Sequence, residues 1–279
     1  MANDYEKRLI RVMDHIHDHP AGDLSLDALA EVAALSRFHF HRVFHAMTGQ
    51  TAAQAVRRMR MHRASVALVQ GAEPVARIAR SVGYPNAASF VRAFTETCGL
   101  SPVAFRRRGE LRPLPPPFRT GDPLMYPVAI RNEPARHLAA MPHEGPYMLI
   151  SKAFEKLGAI LGARGLFAGA GRLVGVYYDD PSAVAPEALR SHAGIELAGT
   201  ENPAPPLVGV TLPGGPHAVL RYQGPYSGLS AAYDQLYAQW LPQSGRHPAD
   251  SPVFEVYLNN PMDTAPEDLL TEICVPLRA

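Results

Sequence analysis

Ser36 to Phe44 reads SRFHFHRVF, and further along the chain Ser89 to Phe94 reads SFVRAF. In each stretch aromatic and aliphatic residues recur at helical spacing beside one arginine, Arg42 in the first and Arg92 in the second. A short helix of this pattern turns its apolar stripe into a small core and leaves the arginine on a wet face. That is how a helix is built to enter a DNA major groove.

The flanking sequence supplies the rest of two such units. Upstream, Leu9, Ile10, Val12, Met13 and Ile16 mark a helix that ends at His19-Pro20. Ser25 then caps a second helix with Leu26, Leu29, Ala30 and Val32 facing inward. Ser36 caps a third, whose inward residues are Phe40, Val43, Phe44 and Met47, and Thr48-Gly49 closes it. A long helix over 52–69 follows as a spacer, with Val56, Met59, Ala64, Ala67 and Leu68 on its buried stripe and Arg57, Arg58, Arg60 and Arg63 on its polar sides. After Gly71 the pattern restarts: Pro74-Val75 opens a helix burying Ile78 and Ala79, Val82-Gly83-Tyr84 turns, and 87–94 forms the next helix. The spacing predicts an all-α domain with a double helix-turn-helix.

Charge divides the chain in the same way. Residues 1–110 hold 15 Lys and Arg against 10 Asp and Glu, and residues 111–279 hold 12 against 16, so a net +5 is followed by −4. A basic first part suits a polyanion and an acidic second part does not. The two cysteines, Cys98 and Cys274, stand far apart without a CxxC pair, which argues against a disulfide framework or structural zinc and fits a reducing compartment. In His15, His17 and His19 only the first and last share a helical face, and no carboxylate or cysteine clearly joins them, so no metal site is expected. His39, His45 and His62 are expected at the surface or in packing. No apolar run approaches the ~20 residues needed to span a bilayer, and a cytoplasmic protein is expected.

Residues 112–122, RPLPPPFRTGD, carry four prolines and no hydrophobic period. They read as a semi-extended spacer within 111–124, separating a domain over 1–110 from one over 125–279. The second domain repeats internally. Gly145-Pro146-Tyr147, Ser151, Ala153-Phe154 and Leu157 return 79 positions later as Gly224-Pro225-Tyr226, Ser230, Ala232-Tyr233 and Leu236. Val176-Tyr177-Tyr178-Asp179-Asp180-Pro181 returns 80 positions later as Val256-Tyr257-Leu258-Asn259-Asn260-Pro261. Preserved order and spacing predict an α+β fold made of a duplicated strand-helix-strand-strand unit about a pseudo-two-fold.

The copies differ chemically in one strand. Strand parity places Val253, Glu255 and Tyr257 on one face, and the equivalent face of the first copy carries Gly175 and Tyr177. A carboxylate in one copy against a glycine in the other suits a cleft holding one asymmetric guest. Ringed by Tyr177, Tyr257, Tyr147, Tyr226 and Trp240, Glu255 would attract a lipophilic or cationic molecule. A solvated Glu255 among ordinary core aromatics explains the same residues equally well.

The order Ala30, Ser36, Arg42, Phe44, Gly49, Arg60, Ala64, Leu68, then Ile78-Ala79, Gly83-Tyr84, Phe90, Arg92, Phe94, Gly99, Ser101-Pro102 and Arg106 closely resembles the AraC/XylS family of transcription regulators. The resemblance implies two recognition helices entering successive major-groove segments of double-stranded DNA, with Arg37, Phe38, His41 and Arg42 facing the groove in the first. The matching second-unit positions are Asn86, Ala87, Ala88, Val91 and Arg92, whose small side chains offer methyl contacts and leave Arg92 as the strong base reader. The segments EGPY, VYYDDP, FEVYLNNP and EICVPL resemble the GyrI-like small-molecule-binding domain. That resemblance implies a cleft lined by Glu255 and the surrounding aromatics, no cofactor, and an effector molecule that biases engagement of DNA or RNA polymerase. It also brings two alternatives: a hydrolase using Glu255 with Tyr147 or Tyr226 as acid and base, and a protein-binding module.

Overall fold

The computed structural model describes residues 4–110, 126–165, 171–197, 203–261 and 263–279. The Pro-rich spacer expected at 111–124 lies outside the described residues. The chain divides into two compact units, Met1–Leu35 with Thr48–Thr120, and Ser36–Met47 with Gly121–Ala279. The helix carrying SRFHFHRVF is thus grouped by its contacts with the C-terminal unit, not with its neighbours in sequence.

In the first unit α1 (Asp4–Asp18) buries Tyr5, Leu9, Val12 and Ile16, while Ile10, expected on the same stripe, lies on its flank at 40% exposure. The helices start where the sequence offers caps. The Ser25 hydroxyl accepts from the Ala28 amide ahead of α2 (Leu26–Val32), and Thr51 with Gln54 forms a reciprocal capping box at α4 (Ala52–Gln70). The sequence Ser101-Pro102 opens α7 (Pro102–Arg108), and each such cap contributes about 1 kcal/mol. Between α5 (Val75–Ser81) and α6 (Ala87–Cys98) the turn needs Gly83: its φ is +81°, and a Cβ there would meet the Pro20 carbonyl at 2.7 Å. Met61, Leu68, Ile78, Phe90, Phe94 and Phe105 form the core of this part, with Phe94 and Phe105 edge-to-face at 5.3 Å.

The second unit contains α3 (Arg37–Thr48) and one eight-stranded antiparallel sheet. Ser36, expected to cap α3, does not: its hydroxyl is buried without a hydrogen-bond partner among the described residues, and only its carbonyl receives helix amides. The strands are β1 (Val128–Glu133), β2 (Arg136–Glu144), β3 (Leu173–Tyr177), β4 (Arg190–Glu196), β5 (Val208–Leu212), β6 (Gly215–Gln223), β7 (Val253–Tyr257) and β8 (Leu270–Pro276). Their order, β1-β6-β8-β7-β3-β4-β2-β5, places the third strands of the two repeats side by side at the centre. The opening strand of each copy pairs with the other copy, β1 on β6 and β5 on β2, an exchange the repeat itself does not reveal.

One sheet face packs Leu138, Val174, Val176, Phe254, Val256 and Cys274 into a hydrophobic core. The other face meets the repeat helices. In the first copy this is α8 (Ser151–Ala163), preceded by a 3₁₀ turn over Tyr147–Leu149. In the second copy α9 (Leu229–Gln235) runs through a π turn (Leu236–Trp240) into α10 (Leu241–Ser244). The sequence offset between the copies steps from 79 to 80 across the stretch that contains this π turn.

Candidate functional site

The central seam of the sheet builds the site. β3 and β7 pair antiparallel so that Gly175 lies directly opposite Glu255, and both side-chain directions point to the helix-covered face. Glu255 is 4% exposed. Its Oε1 accepts from the Tyr233 hydroxyl and its Oε2 from the Tyr257 hydroxyl, each at 2.9 Å. Tyr257 has one proton and gives it to the carboxylate, so Tyr177, at 2.8 Å, donates to Tyr257. The result is a chain of hydroxyls ending on one carboxylate. Gly175 makes it possible, because a Cβ there would stand 2.8 Å from the Tyr257 hydroxyl and 2.9 Å from that of Tyr177.

The electrostatics of the group follow from burial. Desolvation pushes the Glu255 carboxyl above its ordinary range, and the hydroxyls of Tyr233, Tyr257 and Tyr177 together with the Arg42 charge pull against it. Burial beside that carboxylate holds Tyr177, Tyr233 and Tyr257 well above the usual phenol range, so all three remain donors. Around them opens a cavity of about 1030 Å³. Phe154, Leu157 and Leu161 of α8, Leu173 of β3 and Ile195 of β4 give it apolar walls, and Tyr147, Tyr226, Tyr233 and Tyr237 give it aromatic ones. Phe154 and Tyr226 both stand edge-on to Tyr257, with ring centroids 5.5 Å away. A large apolar enclosure with a few convergent polar groups is the form of a small-molecule site.

Residues 126–278 match the model of the GyrI-like small molecule binding domain. The chain belongs to the GyrI-like family. Residues 29–108 match a helix-turn-helix domain. The chain is 33% identical over 156 residues to a DNA gyrase inhibitor of Edwardsiella piscicida, covering 54% of this chain and 97% of that protein. Over 94 residues it is 35% identical to the MmsAB operon regulatory protein of Pseudomonas aeruginosa, covering 34% of this chain and 31% of that one. Over 109 residues it is 31% identical to the transcriptional regulator Rob of Salmonella typhimurium, covering 38% of each. The chain therefore spans about a third of the length of these two regulators and nearly all of the gyrase inhibitor.

Of the residues expected around the GyrI-like cavity, Glu255, Tyr257, Tyr177, Tyr147 and Tyr226 line it. Trp240 is not among the lining residues. It ends the π turn half-buried, and Tyr237 of the same turn lines the cavity. Neither Tyr147 nor Tyr226, the phenols expected as acid–base partners of Glu255, is among those hydrogen-bonded to it. The Tyr147 hydroxyl is occupied by the backbone, donating to the Asp179 or Arg190 carbonyl and accepting from the Asp179 amide, and the phenols on Glu255 are Tyr233 and Tyr257. Sequence reasoning passed over Tyr233, Tyr237 and Phe154. The 79-residue offset sets Tyr233 against Phe154 and Tyr237 against Gly158, so the copies differ in polarity on the helices as they do on the strands, a signal that was present in the repeat.

Among the residues expected at DNA, Ala88, Val91 and Arg92 form an exposed strip on α6. The Asn86 side chain caps that helix by accepting from the Ser89 amide at 2.8 Å. Beside Arg92 a cleft of about 760 Å³ is lined by Arg57, Arg60, Ser89 and Glu96, with Arg57 and Glu96 paired at 2.6 Å. On α3, Arg37 is exposed, and Phe38 and His41 are half-buried. Arg42 does not sit on a wet face. Its guanidinium lies 5.0 Å from the centroid of the Tyr233 ring and 5.9 Å from that of Tyr237, and donates to the Asp179 carbonyl at 3.0 Å. The aromatic wall supplies an alternative to water that the helical period of α3 cannot show. His39 is fully buried, as a packing histidine, between the Tyr237 hydroxyl and the Ser251 carbonyl, each at 3.0 Å. No helix of the described residues is long and apolar enough to cross a membrane.

Proposed function

We propose that this chain is a DNA-binding transcription regulator whose activity is set by a lipophilic cation held in the GyrI-like cavity. RNA polymerase is its partner at the promoter, and the cytoplasm its place of action. The observation that carries the ligand class is Glu255, a carboxylate buried on the floor of an apolar, tyrosine-walled cavity and held only by hydroxyl donors, with no ion pair among the described residues. A buried charge left in that state attracts a partner of opposite sign. The aromatic faces add cation–π attraction and the α8 wall adds apolar contact. Alanine-rich α6 with Arg92, together with the residues of α3, supplies the groove contacts, and the arginines flanking α4 supply phosphate contacts.

The test is calorimetric titration of the full chain with tetraphenylphosphonium, a rigid lipophilic cation. Glu255→Gln is expected to weaken binding by roughly 1–3 kcal/mol. Equal affinity in the variant and the parent would remove the carboxylate from the site. Slow consumption of a ligand that stops in the same variant would instead assign the cavity to hydrolysis.

A further inference from the structure

Arg42 is placed by the sequence where a base edge would be read and by the structure against the walls of the cavity. One guanidinium cannot be in both places. We propose that Arg42 is the cavity's resident cation, so that an incoming effector cation displaces it and thereby frees the first recognition helix for DNA. The inference rests on the cavity being a cation site.

Three observations support it. The guanidinium occupies the aromatic face that a cationic guest would use, over Tyr233, and the hydroxyl of that same Tyr233 is bonded to Glu255. Ring and carboxylate therefore form one receptor, and Arg42 already sits on half of it. The helix bearing Arg42 is pinned at a second point: the Ser251 carbonyl can only accept, so His39 donates there from Nε2 and accepts the Tyr237 hydroxyl at Nδ1. Lastly, His45 and Ala46, one turn beyond Arg42, line the cavity, so a guest filling it meets α3 directly. Effector and DNA would both favour the arrangement with Arg42 released, and by linkage each raises the affinity of the other. The effector is then a promoter of DNA binding.

The experiment compares tetraphenylphosphonium binding to the full-length wild type and Arg42→Gln, which removes the charge with little change of volume. Losing the tethered competitor is expected to tighten binding on the order of tenfold. In the wild type, amides of residues 36–47 are expected to exchange faster when the cation is added. Binding to the wild type with equal or weaker binding to Arg42→Gln overturns the displacement and leaves the cation site standing. Binding to neither protein overturns the cation site and the displacement with it. Should the variant fail to fold, unchanged or greater protection of residues 36–47 in the cation-bound wild type overturns the displacement without it.

Discussion

Replacing Gly175 by alanine tests whether the empty space opposite Glu255 builds the site. The added methyl would stand 2.8 Å from the Tyr257 hydroxyl and 2.9 Å from both the Tyr177 hydroxyl and its ring edge. Those contacts fall short of the about 3.5 Å optimum by more than half an ångström, and neither ring is at a flexible end. Both hydroxyls are fixed in the chain that ends on Glu255, at 2.8 and 2.9 Å. Overpacking of this kind costs about 1–3 kcal/mol, and alanine recovers about 0.5–1 kcal/mol of backbone entropy relative to glycine. With both rings held in the hydroxyl chain the steric cost is expected to win, leaving a net loss of up to about 2.5 kcal/mol in urea unfolding, together with several-fold weaker tetraphenylphosphonium binding although no ligand-contacting group has been deleted. Gly158→Ala on α8 is the control for the stability readout alone, since a Cβ there meets nothing within 4 Å, a helix interior favours alanine by up to about 1 kcal/mol, and the position itself lines the cavity. A Gly175→Ala protein as stable as the parent, with unchanged cation affinity, would refute the argument that this glycine exists to seat the two tyrosines.

Two pH dependences follow from buried groups. Burial raises the Glu255 pKa in the folded state, so its ionisation costs stability as pH climbs from the ordinary value of 4.5 through the raised one; urea midpoints of Glu255→Gln should gain on the parent as pH rises above 4.5, and a constant difference would contradict it. Burial, with the charges of Arg42 and Arg278, lowers His39 from 6.5 to about 3 against the pull of the Ser251 and Ala249 carbonyls, so the parent should lose stability as pH falls from 6.5 toward 3, and His39→Gln should lose less. Parallel midpoint curves for the two proteins would show that His39 does not titrate with this cost.

Much of this protein was legible before any coordinates. The helical period placed α1 and α4, and Ser25 marked a helix start because a hydroxyl before an apolar run satisfies orphan amides. The repeat predicted the doubled α+β unit, and Glu255 set against Gly175 pointed to the seam where the cavity lies. These are local or periodic properties, fixed by which neighbours a residue has along the chain.

What the tertiary structure decided concerns surfaces meeting at a distance. Periodicity tells which face of α3 is apolar, and it is silent on whether the polar face meets water or another protein surface; Arg42 and His39 lie against strands and helices more than a hundred residues away in sequence. Ser36 precedes α3 without capping it, its hydroxyl buried and without a partner among the described residues. Tyr233 and Tyr237 carry no mark of a site within their own helix, and the closing of the sheet against that helix brings their hydroxyls to Glu255 and His39. Trp240 ends a π turn that the sequence does not reveal and is not among the cavity's lining residues. Sequence determines what each element can present; the packing of those elements selects what the presented group touches.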